Sequence, residues 1–331
     1  MAFNISDEAL TLAARLYYID GVSQQKLAAM FNVSQAKASR LLAMARERGI
    51  VTVTVNEYVA RNREQERLLI ERFGLKKAVV IRVQSGQPAE QARTLIGHFA
   101  APLITENIQT GMVIGLAGGR TIYELIESYK PHPGINGVTV IQAMGNVGSR
   151  ISSIDASEVG RMLAVKGKGS FLAINAPVFT PSREIRDVFL NHEQIKEVME
   201  MSKRMDVAFV GIGIPGNSIL ADQNIISEKE IPNLRCDGVC GEICGRFFDS
   251  DGNEASTIYK NKTISIELDT LRKTPLVFGV VNGSDRADAI AAAIKGKIIN
   301  SLIADSECAG QLLKLDTVSG KGRQTKRHTG V

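Results

Sequence analysis

The sequence predicts two domains of different class: a small all-α domain, followed by a larger α/β domain with a doubly wound, mainly parallel, Rossmann-like sheet. Two observations predict this division. Within the first 50 residues, apolar positions recur at helical spacing and each run begins at a serine. From residue 75 onward, short apolar strands alternate with helical segments, which is the pattern of a parallel sheet covered on both faces.

The N-terminal domain, which we place at residues 1–56, is predicted to contain three helices. Ser6, Ser23 and Ser34 are expected to cap them, because a serine side chain accepts hydrogen bonds from the free N–H groups of a first turn. Gly21 ends the first helix, and Asn32 is expected in a left-handed turn before the third. This order of helices and turns is typical of a helix-turn-helix.

The third helix is predicted to present polar side chains on the outer face of its first turns, the part that enters the major groove in helix-turn-helix proteins. Gln35 suits adenine, and Lys37 or Arg40 suits guanine or phosphate. The alternative is a plain three-helix domain whose polar face is only solvated. The predicted DNA-contacting residues are Gln24, Ser34, Gln35, Lys37, Ser39 and Arg40.

The connection between the domains contains a strand-like stretch and a charged helix. Residues 50–55 alternate with period two, which predicts a strand that is either a wing or the cover of the small core. Residues 57–74 are predicted to hold a linker or oligomerisation helix with Leu68, Leu69 and Phe73 in one apolar stripe. That stripe pairs either with a second subunit or with its own domain.

The α/β domain, residues 75–316, is predicted to bind a ligand where its strands end. Buried strands are predicted at residues 78–81, 112–116, 138–141, 171–174, 207–210 and 276–281, and loops rich in glycine, asparagine and proline follow them. In parallel sheets, ligands bind at the carboxyl ends of the strands. These loops should therefore converge on one crevice.

Two of the loops have the composition of an anion site. Residues 118–121 open a helix with two glycines, so backbone N–H groups and the helix dipole can face a phosphate; tight strand–helix packing is the alternative. Residues 282–286 place Arg286 in a first helical turn, where an anionic ligand or a carboxylate would offset the dipole; an exposed surface arginine is the alternative. The predicted phosphate-binding residues are Gly118, Gly119, Arg120, Thr121, Asn282, Gly283 and Arg286.

A third glycine-rich segment contains Cys236, Cys240 and Cys244, whose spacing raises the question of a metal or redox site. The four histidines of the chain are scattered, so we expect no metal. Glu242 lies in the same turn, next to apolar residues. A carboxylate there can accept hydrogen bonds from sugar hydroxyls.

Composition excludes several classes of protein. The chain is 44% hydrophobic and 23% charged, has no apolar run of the roughly 18 residues that a membrane helix needs, and lacks a signal-peptide pattern. Its four cysteines do not make a disulfide framework, so we expect a cytoplasmic protein without a membrane partner.

The basic surplus of the chain is concentrated at its end. The net charge of +5 falls to +1 without Lys321, Arg323, Lys326 and Arg327, which follow the last acidic residue, Asp316. Residues 317–331 are predicted to be a disordered basic tail, which either adds nonspecific phosphate contacts or is only solvated.

The order of short motifs over residues 9–314 resembles the SorC family of sugar-responsive bacterial regulators, whose effector domain is similar to sugar-phosphate isomerases and deaminases. Among the matching motifs are Asp20-Gly21, Ser39-Arg40-Leu41-Leu42 and Gly119-Arg120-Thr121. The other matches lie at residues 14–18, 23–24, 45–47, 49–51, 176–177, 206–213, 245–252 and 289–305.

The resemblance implies a phosphorylated sugar or polyol as effector, with no further cofactor, and a homo-oligomer, a tetramer, that binds double-stranded operator DNA and controls genes for that sugar. It implies that the phosphate is held by the 119–121 loop and the Arg286 region. The implied sugar-binding residues are Gln142, Gly145, Asn146, Pro177, Gly211, Gly213 and Glu242.

The sequence departs from the family pattern at four positions, two in the predicted third helix and two in the α/β domain. Gln35 stands where an arginine is usual, and Ala38 where a larger β-branched residue is usual, so no operator sequence carries over. Glu242 replaces an aspartate and Arg286 a lysine, which indicates a pocket for a different sugar.

Two functions of different class follow from these patterns. We expect a regulator in which an effector changes DNA binding. The alternative is a sugar-phosphate isomerase or deaminase, which needs a general acid and a general base beside the sugar carbons. Glu242 could serve as one of them, but the sequence shows no paired acid–base constellation. A protein that only organises DNA would not need the large α/β domain.

Overall fold

The N-terminal unit begins with helices that start at serine caps. In the computed structural model, which describes residues 5–52 and 59–324 with side chains up to residue 315, this unit extends to residue 58. Its described helices are α1 (Asp7–Tyr18), α2 (Gln24–Met30) and α3 (Gln35–Glu47). Ser6, Ser23 and Ser34 each accept a hydrogen bond from the N–H group three residues later, as predicted. Asn32 adopts the predicted left-handed backbone, with φ of 49°.

A small core holds these helices together. Its buried side chains within residues 5–52 are Leu10, Ala13, Ala14, Leu27, Ala28, Ala38, Leu41, Leu42 and Ala45. Many of them are alanines, so the helices can approach closely. Ile50 and Val51 pack against this core, although residues 50–52 form no strand; residues 53–55 of the predicted strand lie outside the described residues.

The second unit starts at residue 59 and alternates strands with helices. Its strands are β1 (Lys77–Ile81), β2 (Val113–Leu116), β3 (Thr139–Gln142), β4 (Ser170–Leu172), β5 (Val207–Val210), β6 (Gly241–Ile243), β7 (Arg246–Phe248), β8 (Leu276–Val280) and β9 (Ser301–Asp305). Its helices are α4 (Arg63–Phe73), α5 (Ala89–Asn107), α6 (Arg120–Ser128), α7 (Ala156–Lys166), α8 (Arg183–Asn191), α9 (Glu193–Ser202), α10 (Ile219–Asp222), α11 (Ile231–Cys236), α12 (Leu268–Lys273), α13 (Ala287–Lys295) and α14 (Ser306–Gln324).

Seven strands of the described residues form one parallel sheet in the order β1-β9-β8-β5-β2-β3-β4. The predicted α/β class and parallel sheet are confirmed, and each strand predicted within residues 75–316 overlaps an observed one. From β2 the chain builds outward to β4, and from β5 it builds in the opposite direction. The order therefore reverses between β2 and β5, which is where open parallel sheets bind ligands. Strands β6 and β7 form a separate antiparallel hairpin.

The predicted linker helix belongs to the second unit. Residues just before it pair with the edge of β1, where Asn62 N–H donates to Val80 O and Arg82 N–H to Ala60 O, both at 2.8 Å. The buried Glu66 accepts hydrogen bonds from Arg61 and from the N–H of Val80. The structure shows α4 packed on its own domain, with Leu69 in the core; pairing with a second subunit stays a prediction. The unit therefore starts at residue 59 rather than at 75.

The end of the chain also differs from its prediction. Helix α14 extends to Gln324, whereas residues from 317 onward were expected to be disordered; residues 325–331 lie outside the described residues. The first turns of α14 bury Cys308, Ala309 and Leu312 in the core. A helix nucleated by such packing can continue, because each added residue gains a hydrogen bond without a new nucleation cost.

Candidate functional site

The predicted DNA-contacting side chains lie on the surface of the N-terminal unit. Ser34, Gln35, Ser39 and Arg40 are exposed on the first turns of α3, and Gln24 and Lys37 are half-buried. The opposite face of α3 is buried in the small core. The hydroxyl of Ser34 accepts a hydrogen bond from Lys37 N–H at 3.3 Å, so its first role is to cap the helix. This arrangement leaves the polar face open for the edges of a duplex.

A cavity of about 310 Å³ lies in the second unit at the carboxyl ends of β2, β5 and β8. It sits where the strand order reverses, and the loop after each of these strands contributes to its wall. Ten predicted ligand-binding residues line it: Gly118, Gly119, Arg120, Thr121, Gly211, Gly213, Glu242, Asn282, Gly283 and Arg286. Its volume lies at the small end of the range for ligand pockets.

The glycine loop before α6 brings the start of that helix to the cavity. A side chain at Gly118 would meet Ile154 O at 2.8 Å, and Gly119 has φ of 144°, which side chains disfavour. No side chain caps α6, and its first residues, Arg120 to Ile122, line the cavity. The tight packing therefore occurs together with a free helix N-terminus, which is an electropositive surface for an anion.

Two arginines of the cavity are each paired with a carboxylate. Arg120 forms an ion pair with Asp222 of α10 at 3.0 Å. Arg286 pairs with Asp285 at 2.9 Å, and its guanidinium also donates to the carbonyls of Ile212, Asn217 and Asn282. The Arg286 side chain is only 12% exposed, so it is not a surface arginine. A bound anion would compete with both carboxylates.

The loop that carries Asn282 and Gly283 is held in place from β9. The buried carboxylate of Asp305 accepts hydrogen bonds from the Asn282 side-chain amide at 3.0 Å and from Gly283 N–H at 2.7 Å. Its other oxygen accepts from Cys308 N–H at 2.8 Å. Asp305 thus fixes the cavity wall and the start of α14 together. Sequence reasoning missed this role, although an acid at the end of an apolar strand was a visible signal.

Glu242 is a buried carboxyl group that lines the cavity. Its backbone pairs with Gly213 through two hydrogen bonds of 2.9 Å, and its Oε1 accepts from Gly245 N–H at 2.5 Å. Burial raises the pKa of Glu242 to about 7, against the opposing effect of that hydrogen bond. Near neutral pH the group can therefore either accept or donate a hydrogen bond to a ligand hydroxyl.

Four predicted sugar-binding residues do not line the cavity: Gln142, Gly145, Asn146 and Pro177. The buried amide of Gln142 is used within the protein, since it donates to Met144 O at 2.7 Å and Asn146 Oδ1 at 3.0 Å and accepts from Ile174 N–H at 2.9 Å. Asn146 and Pro177 form a β-bridge, and Gly145 packs against the backbone of Pro177. These residues join the ends of neighbouring loops instead.

Further lining residues were not predicted. Arg93 of α5, Asn217 and Ser218 add polar groups to the cavity, and Met144 and Ile154 add apolar ones. Arg93 lies on a helix with no motif around it, so only the tertiary structure could reveal it. Asn217 and Ser218 follow β5 in a loop of which only the glycines had been selected.

The described residues offer no metal centre. Cys236, Cys240, Cys244 and Cys308 are free thiols, and no cluster of three or more histidine, cysteine, aspartate or glutamate residues in that part of the chain could hold a metal ion. Burial raises the pKa of the Cys244 thiol, which disfavours its thiolate. None of the described helices combines the length and apolar character required to cross a membrane.

Comparison with known proteins finds relatives over nearly the whole chain. The sequence profile of the Sugar-bind family, a sugar-binding domain, matches residues 58–314. The chain is 30% identical over 305 residues to the sorbitol operon regulator of Klebsiella pneumoniae, covering 91% of this chain and 96% of that protein. It is 29% identical over 303 residues to the deoxyribonucleoside regulator of Bacillus subtilis, again covering 91% and 96%.

Solved structures agree with these relatives. The full-length sorbitol operon regulator SorC of Klebsiella pneumoniae matches with a TM-score of 0.70 and 28% identity, over 93% of this chain and all (100%) of that one. A sugar-binding domain of a transcriptional repressor from Vibrio fischeri matches with a TM-score of 0.68 and 28% identity, over 77% of this chain and 100% of that domain.

Proposed function

This chain belongs to the SorC family of sugar-binding transcriptional regulators, and on that premise we propose that it controls a carbohydrate catabolic operon in response to a phosphorylated sugar or polyol. Like these relatives, it is a transcriptional regulator rather than an enzyme. The observation that carries the proposal is the cavity at the reversal of strand order, where the uncapped start of α6 meets arginine side chains.

The phosphate of the effector would bind at the start of α6. The N–H groups of the first turn and the guanidinium groups of Arg120 and Arg286 are strong donors to phosphate oxygens, and the helix dipole favours negative charge at this end. A phosphate there competes with Asp222 for the guanidinium of Arg120. The ligand thereby changes the contacts of α10, which gives it different affinities for two arrangements of the protein.

The hydroxyl groups of the effector would face Glu242 and the polar side chains of Asn217, Ser218 and Asn282. A buried carboxyl with one oxygen bonded to Gly245 N–H keeps its second oxygen for a ligand. Glutamate reaches farther than the aspartate usual in the family, so this wall favours a smaller or differently oriented sugar. The relatives named for sorbitol and for deoxyribonucleosides support a sugar or sugar-derived ligand.

The N-terminal unit would bind operator DNA through the exposed face of α3. Helix-turn-helix proteins usually bind two half-sites as dimers, and we therefore include a homo-oligomer, a tetramer of this chain, in the proposal. A regulator that binds chromosomal DNA acts in the bacterial cytoplasm, which we also include.

The proposal is tested with a panel of sugar and polyol phosphates, measuring both thermal stabilisation and turnover of each compound. We expect one or a few compounds to raise the melting temperature by mass action, without any conversion of the compound. Arg120→Ala should lose this response, whereas Arg161→Ala, which removes an exposed arginine from α7, should keep it. Steady turnover of a stabilising compound would contradict the proposal and favour an isomerase or deaminase.

A further inference from the structure

Arg93 differs from the other arginines of the cavity because no hydrogen bond or ion pair joins it to the part of the chain that the structure describes. It projects from the first part of α5 and lines the cavity together with Arg120 and Arg286. Arg120 is paired with Asp222, and Arg286 with Asp285. No hydrogen bond or ion pair joins the guanidinium of Arg93 to any of the described residues. Its side chain is half-buried, so water solvates this charge only partly.

The charges around Arg93 make an empty cavity unfavourable for it. Burial and, after it, the positive charge of Arg120 lower the pKa of Arg93, and the charge of Arg286 acts in the same direction at a weaker level. Glu90 and Glu124 act in the opposite direction, but neither forms an ion pair with it. Two like charges that face one cavity are relieved when an anion binds between them.

The two carboxylates already present cannot provide that relief. Asp222 and Asp285 are engaged with Arg120 and Arg286, whereas Arg93 has only the more distant charges of Glu90 and Glu124 and no direct contact with a carboxylate among the described residues. Glu242 is buried and bonded to Gly245 N–H, and it is partly protonated near neutral pH. On the side formed by α5 and α6, the charged residues that line the cavity are Arg93 and Arg120.

We infer that Arg93 is a third phosphate-binding arginine, and that it makes the cavity select dianionic phosphate esters over ligands with one negative charge. The inference rests on the proposed function, since it concerns the same cavity. A phosphate monoester carries a second negative charge above its second pKa of about 6. A planar guanidinium can bind two of its oxygens at once, which adds both charge and geometry to the contact.

The inference is tested with methyl phosphate and methyl sulfate, which share their shape and differ in charge. Their affinities for the full chain are measured by thermal shift at matched ionic strength, well above the second phosphate pKa. The variants are Arg93→Gln and Arg93→Lys, and the matched control is Arg161→Gln, which removes an exposed arginine of α7 outside the cavity.

We expect the unaltered chain to prefer methyl phosphate. Arg93→Gln should weaken methyl phosphate binding by about tenfold or more, as for a lost hydrogen bond to a charged group, and should change methyl sulfate binding much less. Arg93→Lys should restore part of the preference, and the control should match the unaltered chain. Without ligand, Arg93→Gln should be at least as stable as the unaltered chain, because it removes the repulsion from Arg120.

The outcomes separate this inference from the proposal on which it rests. If methyl phosphate does not stabilise the unaltered chain more than chloride does, the anion site is absent, and both the proposed function and the inference fail. If methyl phosphate binds and Arg93→Gln keeps the same preference over methyl sulfate, only the inference fails. Lower stability of Arg93→Gln without ligand would show that Arg93 supports the fold, and would also contradict the inference.

Discussion

The two units of this chain present their candidate functional residues in opposite ways. In the N-terminal unit, they come from two neighbouring helices: Gln24 opens α2, and the others lie between Ser34 and Arg40 at the start of α3. In the second unit, they come from segments that are far apart in sequence, and the fold brings them to one cavity. A local pattern therefore suffices to find the first set, whereas the second depends on topology and on which side chains are already engaged.

The units also differ in the size of their cores. The small core of residues 5–52 depends on a few side chains, whereas the core of the second unit extends over the whole sheet. We expect the smaller core to tolerate the truncation of a buried side chain poorly.

The largest expected effect comes from Leu27→Ala, which opens a cavity among the helices of the N-terminal unit, where Leu27 is fully buried. Such truncations cost about 2–5 kcal/mol, enough to unfold a small domain. DNA binding should disappear while the response to sugar phosphates remains. Calorimetry with a sugar phosphate measures the ligand response, and a duplex titration measures DNA binding. The control is Leu12→Ala, which truncates a leucine of α1 that is 52% exposed. Loss of the ligand response together with DNA binding would contradict the separation of the units.

Glu242→Gln provides the corresponding test in the second unit. Because burial raises the pKa of Glu242 from 4.5 to about 7, the folded state holds a proton that the unfolded chain releases. The unaltered unit should therefore lose stability as the pH rises from about 4.5 through 7, by about 3 kcal/mol at most. Glu242→Gln should remove this loss.

Denaturant unfolding at several pH values measures that difference. Glu228→Gln, which changes an exposed glutamate of the same unit, is the control and should keep the pH dependence of the unaltered chain. If Glu242→Gln lost as much stability with rising pH as the unaltered chain does, the pH dependence would come from a group other than Glu242.

These differences explain how much of the molecule the sequence predicts. The serine caps and the turn at Asn32 are local features, and the structure places them as predicted. The glycine loop before α6 was also selected from the sequence, with tight strand–helix packing as the alternative, and it lines the cavity. The sequence does not show that the Gln142 amide is engaged by Met144, Asn146 and Ile174 instead of lining the cavity, and Arg93 was missed because no motif around it marks a site.

Arg40→Ala tests whether the exposed face of α3 in the N-terminal unit binds DNA. If Arg40 contacts a base, the change should weaken operator binding by roughly 1–3 kcal/mol and reduce discrimination against mixed-sequence DNA. Arg46→Ala, at the other end of the same helix, should at most weaken binding to both duplexes equally. Anisotropy titrations with the operator duplex and with the mixed-sequence duplex measure the ratio of the two affinities. Unchanged discrimination in Arg40→Ala would remove Arg40 from the set of base contacts.

Asp222→Asn should have the smallest effect of these changes, and it tests whether Asp222 competes with the ligand for Arg120. The ion pair between Arg120 and Asp222 is partly exposed, so removing it should free Arg120 at a gain in anion affinity of about 0.2–1 kcal/mol. Calorimetric titration with the best sugar phosphate measures this gain. Weaker binding to Asp222→Asn would show that Asp222 supports the bound state rather than competing with the ligand.

In the proposed regulator, occupancy of the cavity in the second unit changes DNA binding by the N-terminal unit. The most direct measurement is the affinity of the full chain for a duplex from its own promoter region, titrated with a sugar phosphate that stabilises the protein. We predict that the affinity changes with the ligand in the unaltered chain, and that it stays constant in Arg120→Ala, which still binds the duplex. A promoter affinity that is the same with and without the stabilising ligand would contradict the account.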